Sequence, residues 1–148
     1  METTWQPAMK SAISEVLETM FFETVNFGSQ NPTVRDWYCD SAIRLSNATE
    51  SREITFRVTE PFARLMAANF LASEEDELTP EEIADVMREM ANMVGGNYLA
   101  RLKDEEWWLG IPTFSLVVSK DEEMTSGLPL LHMGECVGLI FLRPAGEQ

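Results

Sequence analysis

The sequence predicts an α+β domain in which helices cover one face of an antiparallel or mixed sheet. Two segments alternate apolar and polar residues as half-buried strands do, three others repeat apolar residues at helical spacing, and the order is helix, strands, helices, strands. Each half begins with a helix and continues with strands, so the halves are predicted to repeat a helix–strand–strand unit. The chain of 148 residues has the length of one domain, so residues 1–148 are expected to form a single unit.

The first half is predicted to contain one helix and one hairpin. Apolar residues recur every three or four positions across residues 7–24, as on one side of a helix. Residues 27–33 have the composition of a loop. Residues 40–47 and 52–59 alternate apolar and polar side chains on either side of a short turn, so they are expected to pair as a hairpin.

The second half is predicted to begin with two helices. The first covers residues 61–72 and is followed by an acidic linker at 73–79. Thr79 and Glu82 have the spacing of a capping box, in which each side chain accepts a hydrogen bond from the other residue's backbone N–H. A long third helix is therefore expected from residue 80 to about residue 103.

Strands are expected to complete the domain. Residues 113–118 have the pattern of a strand and residues 119–127 that of a polar loop. Residues 128–142 are expected to hold a short strand and then a final strand near 135–142. Their apolar side chains would extend the sheet on which the helices pack.

The charge balance restricts the partners. The chain has 25 acidic and 11 basic residues, a net charge of −14. Binding to nucleic acid or to an anionic membrane needs clustered Lys and Arg, which the chain lacks, so neither is predicted as a partner. The sequence shows no signal-peptide pattern and no apolar run long enough to span a bilayer, so we expect a cytoplasmic protein.

The cysteines and the single histidine argue against several kinds of catalytic centre. Cys39 and Cys136 match no metal-binding or redox spacing, so both are predicted to be reduced, buried thiols. His132 is the only histidine, which argues against a histidine-ligated metal site and against a histidine-activated Ser or Cys nucleophile. No metal site is therefore expected in this chain.

The stretch EMANMVGGNYLARL, which starts at Glu89, places two adjacent glycines inside a predicted helix, and each costs about 1 kcal/mol relative to Ala. At about 100° per residue, Asp85, Glu89, Asn92 and Gly96 fall opposite the apolar stripe of the helix. That stripe consists of Ile83, Val86, Met87, Met90, Met93, Val94 and Tyr98. Gly95 lies between the two sides of the helix, so it could serve helix packing instead of contact with a partner. A glycine one turn from Asn92 lets the backbone of a partner come close.

An ordinary structural explanation exists for each of these residues. Exposed Glu and Asn are common on helices, and helical glycines often serve packing. The Glu-x-x-Asn spacing also occurs at Glu23 and Asn26, at the end of the first helix beside its apolar side. We interpret that second copy as chance.

The residues around Glu89 resemble the Glu-x-x-Asn helix of the CheC/CheX/FliY family of chemotaxis phosphatases. The resemblance extends to REITFRVTEPFARLMAANFLA and LTPEEIADVMREMAN before this motif, and to GIPTFSLVV and CVGLIFLRP after it. It covers roughly residues 9–144, and the length and single motif are typical of the CheX-like branch. It implies an α+β fold with two long helices packed on one face of the sheet. It also implies a homodimer that pairs through a sheet edge, and a substrate that is a phosphorylated receiver domain of the CheY type.

The same resemblance implies roles for the third helix. Glu89 would pair with the active-site Lys of the receiver, and Asn92 would orient the water that attacks phosphorus. Asp85, Gly95 and Gly96 would contact the receiver, the glycines leaving room for its loop. Mg²⁺ would be held by the receiver, so no cofactor is expected in this chain. Orientation suits Asn92, because a carboxamide is no useful base at neutral pH but can hold a water by hydrogen bonds.

The first helix is predicted to be an inactive copy of the third. If the halves are duplicated, Glu15, Glu18 and Phe22 take the positions of Glu89, Asn92 and Gly96. The carboxylate of Glu18 would repel phosphate and has no N–H donors, and Phe22 would block a close approach. Phe22 is expected to lie under a loop.

Two other functions remain open. A module that docks a receiver or associates with a motor-switch protein, without catalysis, would keep the same residues, because geometry decides whether Asn92 reaches the phosphoryl group. A small-molecule-binding domain is supported only by aromatic residues such as Trp107 and Trp108, which are expected to pack at the entrance of a strand.

Overall fold

The computed structural model of the chain describes residues 2–29, 34, 36–102, 106–118 and 127–145. Over these ranges the α-helices are α1 (Gln6–Met20), α2 (Glu60–Leu71) and α3 (Pro80–Ala100), and short 3-10 helices lie at Glu2–Trp5 and Glu75–Glu77. The strands are β1 (Asn26–Phe27), β2 (Trp37–Ser46), β3 (Ser51–Thr59), β4 (Trp108–Leu109), β5 (Thr113–Leu116), β6 (Leu128–His132) and β7 (Glu135–Pro144).

The strands form one antiparallel sheet. Their order is β1, β6, β7, β3 and β2, and the outer edge of β2 pairs with both β4 and β5. In the centre of the sheet, Ile43 of β2 lies opposite Ile54 of β3, and Phe56 of β3 lies opposite Ile140 of β7. The predicted α+β class with an antiparallel sheet and helices on one face is confirmed, as is the predicted hairpin, which is β2–β3.

One apolar core joins the helices to the sheet. Apolar side chains of α1, α2 and α3 meet those of β2, β3, β6 and β7 in this core, and α3 contacts both other helices. Its fully buried members include Ile13, Leu17, Ile43, Ile54, Met66, Met87 and Met90. Burying each such side chain contributes about 1.5–3 kcal/mol, so this contact determines which side of each helix faces outward.

The start of α3 is fixed by its cap. The Thr79 hydroxyl accepts a hydrogen bond from the backbone N–H of Glu82 at 3.1 Å, and the Glu82 carboxylate accepts one from the backbone N–H of Thr79 at 2.9 Å. Pro80 follows as the first helical residue. The predicted capping box is therefore confirmed, and it sets the register of every residue that follows in the helix.

The helix ends differ from the predictions. α1 ends at Met20 and not near residue 24, because Phe22 adopts a left-handed backbone with φ 62°. α3 ends at Ala100, and residue 103, where it was expected to stop, lies outside the described residues.

Two strands were not predicted. β1 and β4 have two residues each, and two residues cannot display an alternating pattern. Phe27, expected in a loop, is the second residue of β1 and pairs with Leu130. The remaining residues of that loop at 30–33, and most of the loop at 119–127, fall outside the described residues.

The β6–β7 hairpin turns through two residues with left-handed backbones. Met133 has φ 54° and Gly134 has φ 83°. Tight two-residue hairpin turns use positive φ at both central positions and favour Asn-Gly there. Met133 is thus an unusual residue at this turn, and its side chain is 87% exposed.

Replacing Met133 by Asn is expected to stabilise the fold. Positive φ costs most L-residues about 1–2 kcal/mol and costs Asn less, so the free energy of unfolding should rise by about 1 kcal/mol. Urea unfolding measures this change, with Met133→Leu as a control that keeps the unfavourable backbone position. Equal stability of the Asn and Leu variants would contradict the strain assigned to this turn.

Candidate functional site

The outward side of α3 carries four of the residues singled out in the sequence. The opposite side of the helix is buried, from Ile83 to Tyr98. Asp85 and Glu89 are exposed, and Asn92 and Gly96 are half-buried. Because residues three or four positions apart on a helix are neighbours on its surface, Asn92 lies beside both Glu89 and Gly96.

Glu89 and Asn92 have no partner within the described part of the chain. Neither side chain makes a hydrogen bond or an ion pair there. A carboxamide offers two N–H donors and one acceptor oxygen, and an ionised carboxylate only accepts. The side of α3 therefore presents complementary hydrogen-bonding groups that the fold itself does not use.

Asp85 has a different environment. Its carboxylate forms an ion pair with the guanidinium of Arg88, which is the only basic residue of α3. Asp85 lies one turn before Glu89, so Arg88 offsets part of the negative charge of this surface. A single exposed pair of this kind contributes at most about 1 kcal/mol to stability, so it leaves Asp85 free to change partners.

Gly95 belongs to the packing side of the helix. It is buried, and a Cβ placed on it would lie 3.1 Å from Cγ2 of Ile43 and 3.2 Å from Cδ2 of Leu109. The missing side chain lets α3 approach β2 and β4 closely. We therefore reassign Gly95 from partner contact to packing.

Gly96 is not required by the fold. A Cβ at this position would meet only Cδ1 of Leu109 at 3.8 Å, an ordinary van der Waals contact. Because residue 96 is a glycine, the half-buried surface next to Asn92 nevertheless has no side chain there. This is the arrangement expected where another molecule must approach the helix closely.

The cysteines are poorly suited to nucleophilic catalysis. Burial raises the pKa of the Cys39 thiol to about 12. Cys136 is only half-buried, which differs from the prediction, and burial again raises the pKa of its thiol. A catalytic cysteine needs a lowered pKa, because the thiolate is the nucleophile.

The described histidine and acidic residues form no metal site. His132 Nε2 lies 2.8 Å from a carboxylate oxygen of Glu23, so this ring is engaged. Across the described ranges, no three His, Cys, Asp or Glu side chains form a group that could hold a metal ion.

In the same ranges no helix combines the length and the apolar character needed to cross a membrane.

The second Glu-x-x-Asn copy is not a surface motif on a helix. The Glu23 carboxylate also accepts a hydrogen bond from Asn69 Nδ2 at 3.0 Å. Asn26 lies in β1, opposite Leu131. The two residues of this copy therefore serve different parts of the fold.

The end of α1 differs from the prediction in two respects. Glu15 forms an ion pair with Arg101 at 2.6 Å, and Glu18 is exposed. Phe22 lies beyond the helix, so the assignment of a helical position to it is wrong. Its side chain is 68% exposed, so the expectation that it lies under a loop is also wrong.

The two adjacent tryptophans at the start of β4 have different environments. Trp107 packs against the apolar core, while Trp108 is 55% exposed. Trp107 alone fits the predicted packing at a strand entrance.

A family model described as chemotaxis phosphatase CheX matches residues 41–132 of the chain. Comparison with curated proteins gives no match.

Similar solved structures agree over nearly the whole chain. Chemotaxis protein CheX from Vibrio vulnificus is 18% identical, with a TM-score of 0.75 over 98% of this chain and 99% of that one. A CheC-like superfamily protein from Shewanella sp. PV-4 is 15% identical, with a TM-score of 0.76 over 99% and 100%. A chain of the CheX–CheY–BeF3–Mg²⁺ complex from Borrelia burgdorferi is 18% identical, with a TM-score of 0.68 over 94% and 97%. At these identities the likeness establishes the fold alone.

The two glycines are expected to respond differently to a methyl group. Gly96→Ala should raise the free energy of unfolding by up to about 1 kcal/mol, because Ala is the better helix former and its methyl fits. Gly95→Ala should gain less or lose stability, because Ile43 and Leu109 must move. Urea unfolding of both variants measures the difference, and equal gains would contradict the packing role of Gly95.

Proposed function

Because the chain belongs to the CheX family of chemotaxis phosphatases, we propose that it removes the phosphoryl group from the phosphoaspartate of a CheY-type receiver domain. The observation that carries the proposal is the outward side of α3, where Glu89 and Asn92 have no partner in the described part of the chain and Gly96 leaves room beside them. A CheX of Borrelia burgdorferi forms a complex with CheY, which supports a receiver as the partner.

In this proposal Asn92 positions the attacking water. Phosphoryl transfer passes through a loose transition state, so alignment and charge stabilisation supply most of the catalysis. The Asn92 oxygen would accept a hydrogen bond from the water, and its N–H groups would donate to phosphoryl oxygens. The water attacks phosphorus in line with the breaking bond to the aspartyl oxygen, which leaves as a carboxylate, and the products are inorganic phosphate and the free receiver.

Glu89 would fix the orientation of docking. Its exposed carboxylate lies next to Asn92 on α3, so an ion pair with the receiver's active-site Lys would bring Asn92 to the phosphoryl group. Asp85, one turn before Glu89, would contact the receiver after exchanging Arg88 for a group on the partner. Hydrogen bonds to charged groups contribute about 1.5–3 kcal/mol each, which is enough to select one orientation.

The chain itself is proposed to work without a cofactor. Mg²⁺ would be bound by the receiver, where it neutralises charge on the phosphoryl oxygens. The reaction would take place in the cytoplasm, where receiver domains act. The principal alternative is a docking module that binds receivers but does not speed their dephosphorylation.

Removal of the Asn92 amide is expected to abolish the proposed activity. With Mg²⁺ and a phosphorylated CheY-type receiver, wild-type protein should accelerate loss of the phosphoryl group, and Asn92→Ala should lower this acceleration by at least about 100-fold. Asn92→Asp should fail similarly, because it keeps the shape and loses the N–H donors. The measurement is the decay of phosphoreceiver over time.

Asn97→Ala is the matched control, because Asn97 lies on the same helix and hydrogen-bonds to Arg101 instead of facing solvent beside Glu89. It should keep most of the wild-type acceleration. If receivers bind the wild-type protein and decay at their own rate across several candidates, the docking module is the correct function.

We also propose that two copies of the chain pair through the edge formed by β4 and β5. Within the described residues β5 pairs only with β2, which leaves its other side open. Residues 110–118 contain no charged side chain although the chain carries −14. Ile111, Leu116 and Val118 are 85%, 56% and 91% exposed. An open apolar edge without charge is suited to pairing with a second copy. The opposite edge, β1, has only two residues.

A charge on this edge is expected to separate the copies. Val118→Lys and Leu116→Lys should convert a dimer into a monomer, because like charges would face each other across the shared edge. Light scattering after size-exclusion chromatography measures the mass, with Met133→Lys as a control on another exposed apolar residue. A wild-type monomer, or a dimer that survives both changes, would contradict the assignment of this edge.

A further inference from the structure

Two large apolar side chains project into solvent from two loops that hydrogen bonds join to each other. Phe22 is 68% exposed with φ 62°, and Met133 is 87% exposed with φ 54°. Both backbone positions are left-handed, where Gly and Asn are favoured and side chains such as Phe and Met are strained. Strain at an exposed apolar residue gives the fold nothing, which points to a contact made by the side chain itself.

A set of polar contacts holds the two loops together. Glu23, which follows Phe22, lies 2.8 Å through one carboxylate oxygen from Nε2 of His132, which precedes Met133. Asn69 of α2 donates to the Phe21 carbonyl at 2.7 Å and to the second oxygen of Glu23 at 3.0 Å. The side chains of His132 and Glu23 are only 13% and 25% exposed. The backbone segments that carry Phe22 and Met133 are therefore joined to each other through their neighbouring residues.

An open groove lies beside Met133. It is formed by Pro61, Phe62 and Leu65 of α2 and by Met133, Glu135 and Val137 of the β6–β7 hairpin, and it encloses a volume of about 400 Å³. The centroid of the Phe62 ring lies 5.8 Å from that of the His132 ring, so the groove adjoins the contact between His132 and Glu23. A groove of this size is within the range that holds a small ligand or a few side chains.

The charges around the groove favour a basic partner. Glu135 is exposed in its lining. The nearest cation on α2, Arg64, is already paired with Glu60 at 3.0 Å and also donates to the Glu75 carbonyl. A second copy of the chain would bring another Glu135 and a net charge of −14 to the same place. A segment that carries Lys or Arg between its apolar residues matches both the groove and its charge.

We propose that this groove, with Met133 in its lining and Phe22 on the neighbouring loop joined to it through Glu23 and His132, binds a short segment of a partner protein in which apolar residues alternate with Lys or Arg. The groove is built from α2 and the β6–β7 hairpin, whereas the phosphatase proposal uses α3 and the dimer proposal uses β4 and β5. It stands whether or not either of those proposals is correct.

The test uses two labelled peptides and the full chain. One peptide alternates Leu with Lys and the other alternates Leu with Glu, and binding is followed by fluorescence anisotropy at low and at physiological salt. The Lys peptide should bind, and the Glu peptide should bind on the order of tenfold more weakly or not at all. Met133→Asn and Phe22→Asn should each weaken the Lys peptide on the order of tenfold. Both variants should fold, because Asn suits a left-handed backbone.

Ala48→Asn is the matched control, because Ala48 is exposed in the turn between β2 and β3, and β3 begins beside Pro144, at the opposite end of β7 from the β6–β7 turn. It should leave binding unchanged, and Glu135→Lys should reverse the preference between the two peptides. The proposal is overturned if neither peptide binds, if both bind equally, or if Ala48→Asn weakens binding as much as Met133→Asn. It is also overturned if Met133→Asn changes the oligomeric state, because the occupant would then be a second copy.

Discussion

The packing of α3 against the sheet is the constraint on which the rest of the structure depends. Gly95 brings the helix close to Ile43 and Leu109, and the apolar side from Ile83 to Tyr98 is buried in the core. A helix fixed on one side has no freedom to rotate about its axis. The direction of Glu89 and Asn92 is therefore decided by residues that never touch a partner.

Buried residues fix the position of α3 and exposed residues face outward. This arrangement suits a catalyst that acts by orienting the reacting groups. The described chain offers no thiol with a lowered pKa and no cluster that could hold a metal ion. What it offers is a rigid helix surface with an amide, a carboxylate and a gap beside them. In the proposed reaction the receiver brings the phosphoryl group and its Mg²⁺, and the chain adds the alignment of a water. In this proposal two adjacent glycines serve both needs, since Gly95 allows packing and Gly96 would allow the receiver to approach.

Much of the fold could be predicted from the sequence, because the spacing of apolar residues indicates helices and strands. The stripe of α3, the capping box at Thr79 and Glu82, and the β2–β3 hairpin all follow from local spacing. β1 and β4 could not be predicted, because two-residue strands are defined by their neighbours. The angle of Gly95 on a helical wheel left its role open until Ile43 and Leu109 were known. Phe22 was misplaced because a left-handed residue ends α1 without a glycine to signal it.

The measurement that tests the central claim most directly is the NMR signal of the Asn92 side-chain amide, assigned by its loss in Asn92→Ala. The account predicts that a CheY-type receiver carrying Mg²⁺ and beryllofluoride shifts this signal strongly, and that the unmodified receiver does so weakly. The amides of Asn69 and Asn97, which already have partners within the chain, should stay in place. An Asn92 signal that does not move while the receiver binds would show that docking occurs elsewhere, and the proposed role of α3 would be wrong.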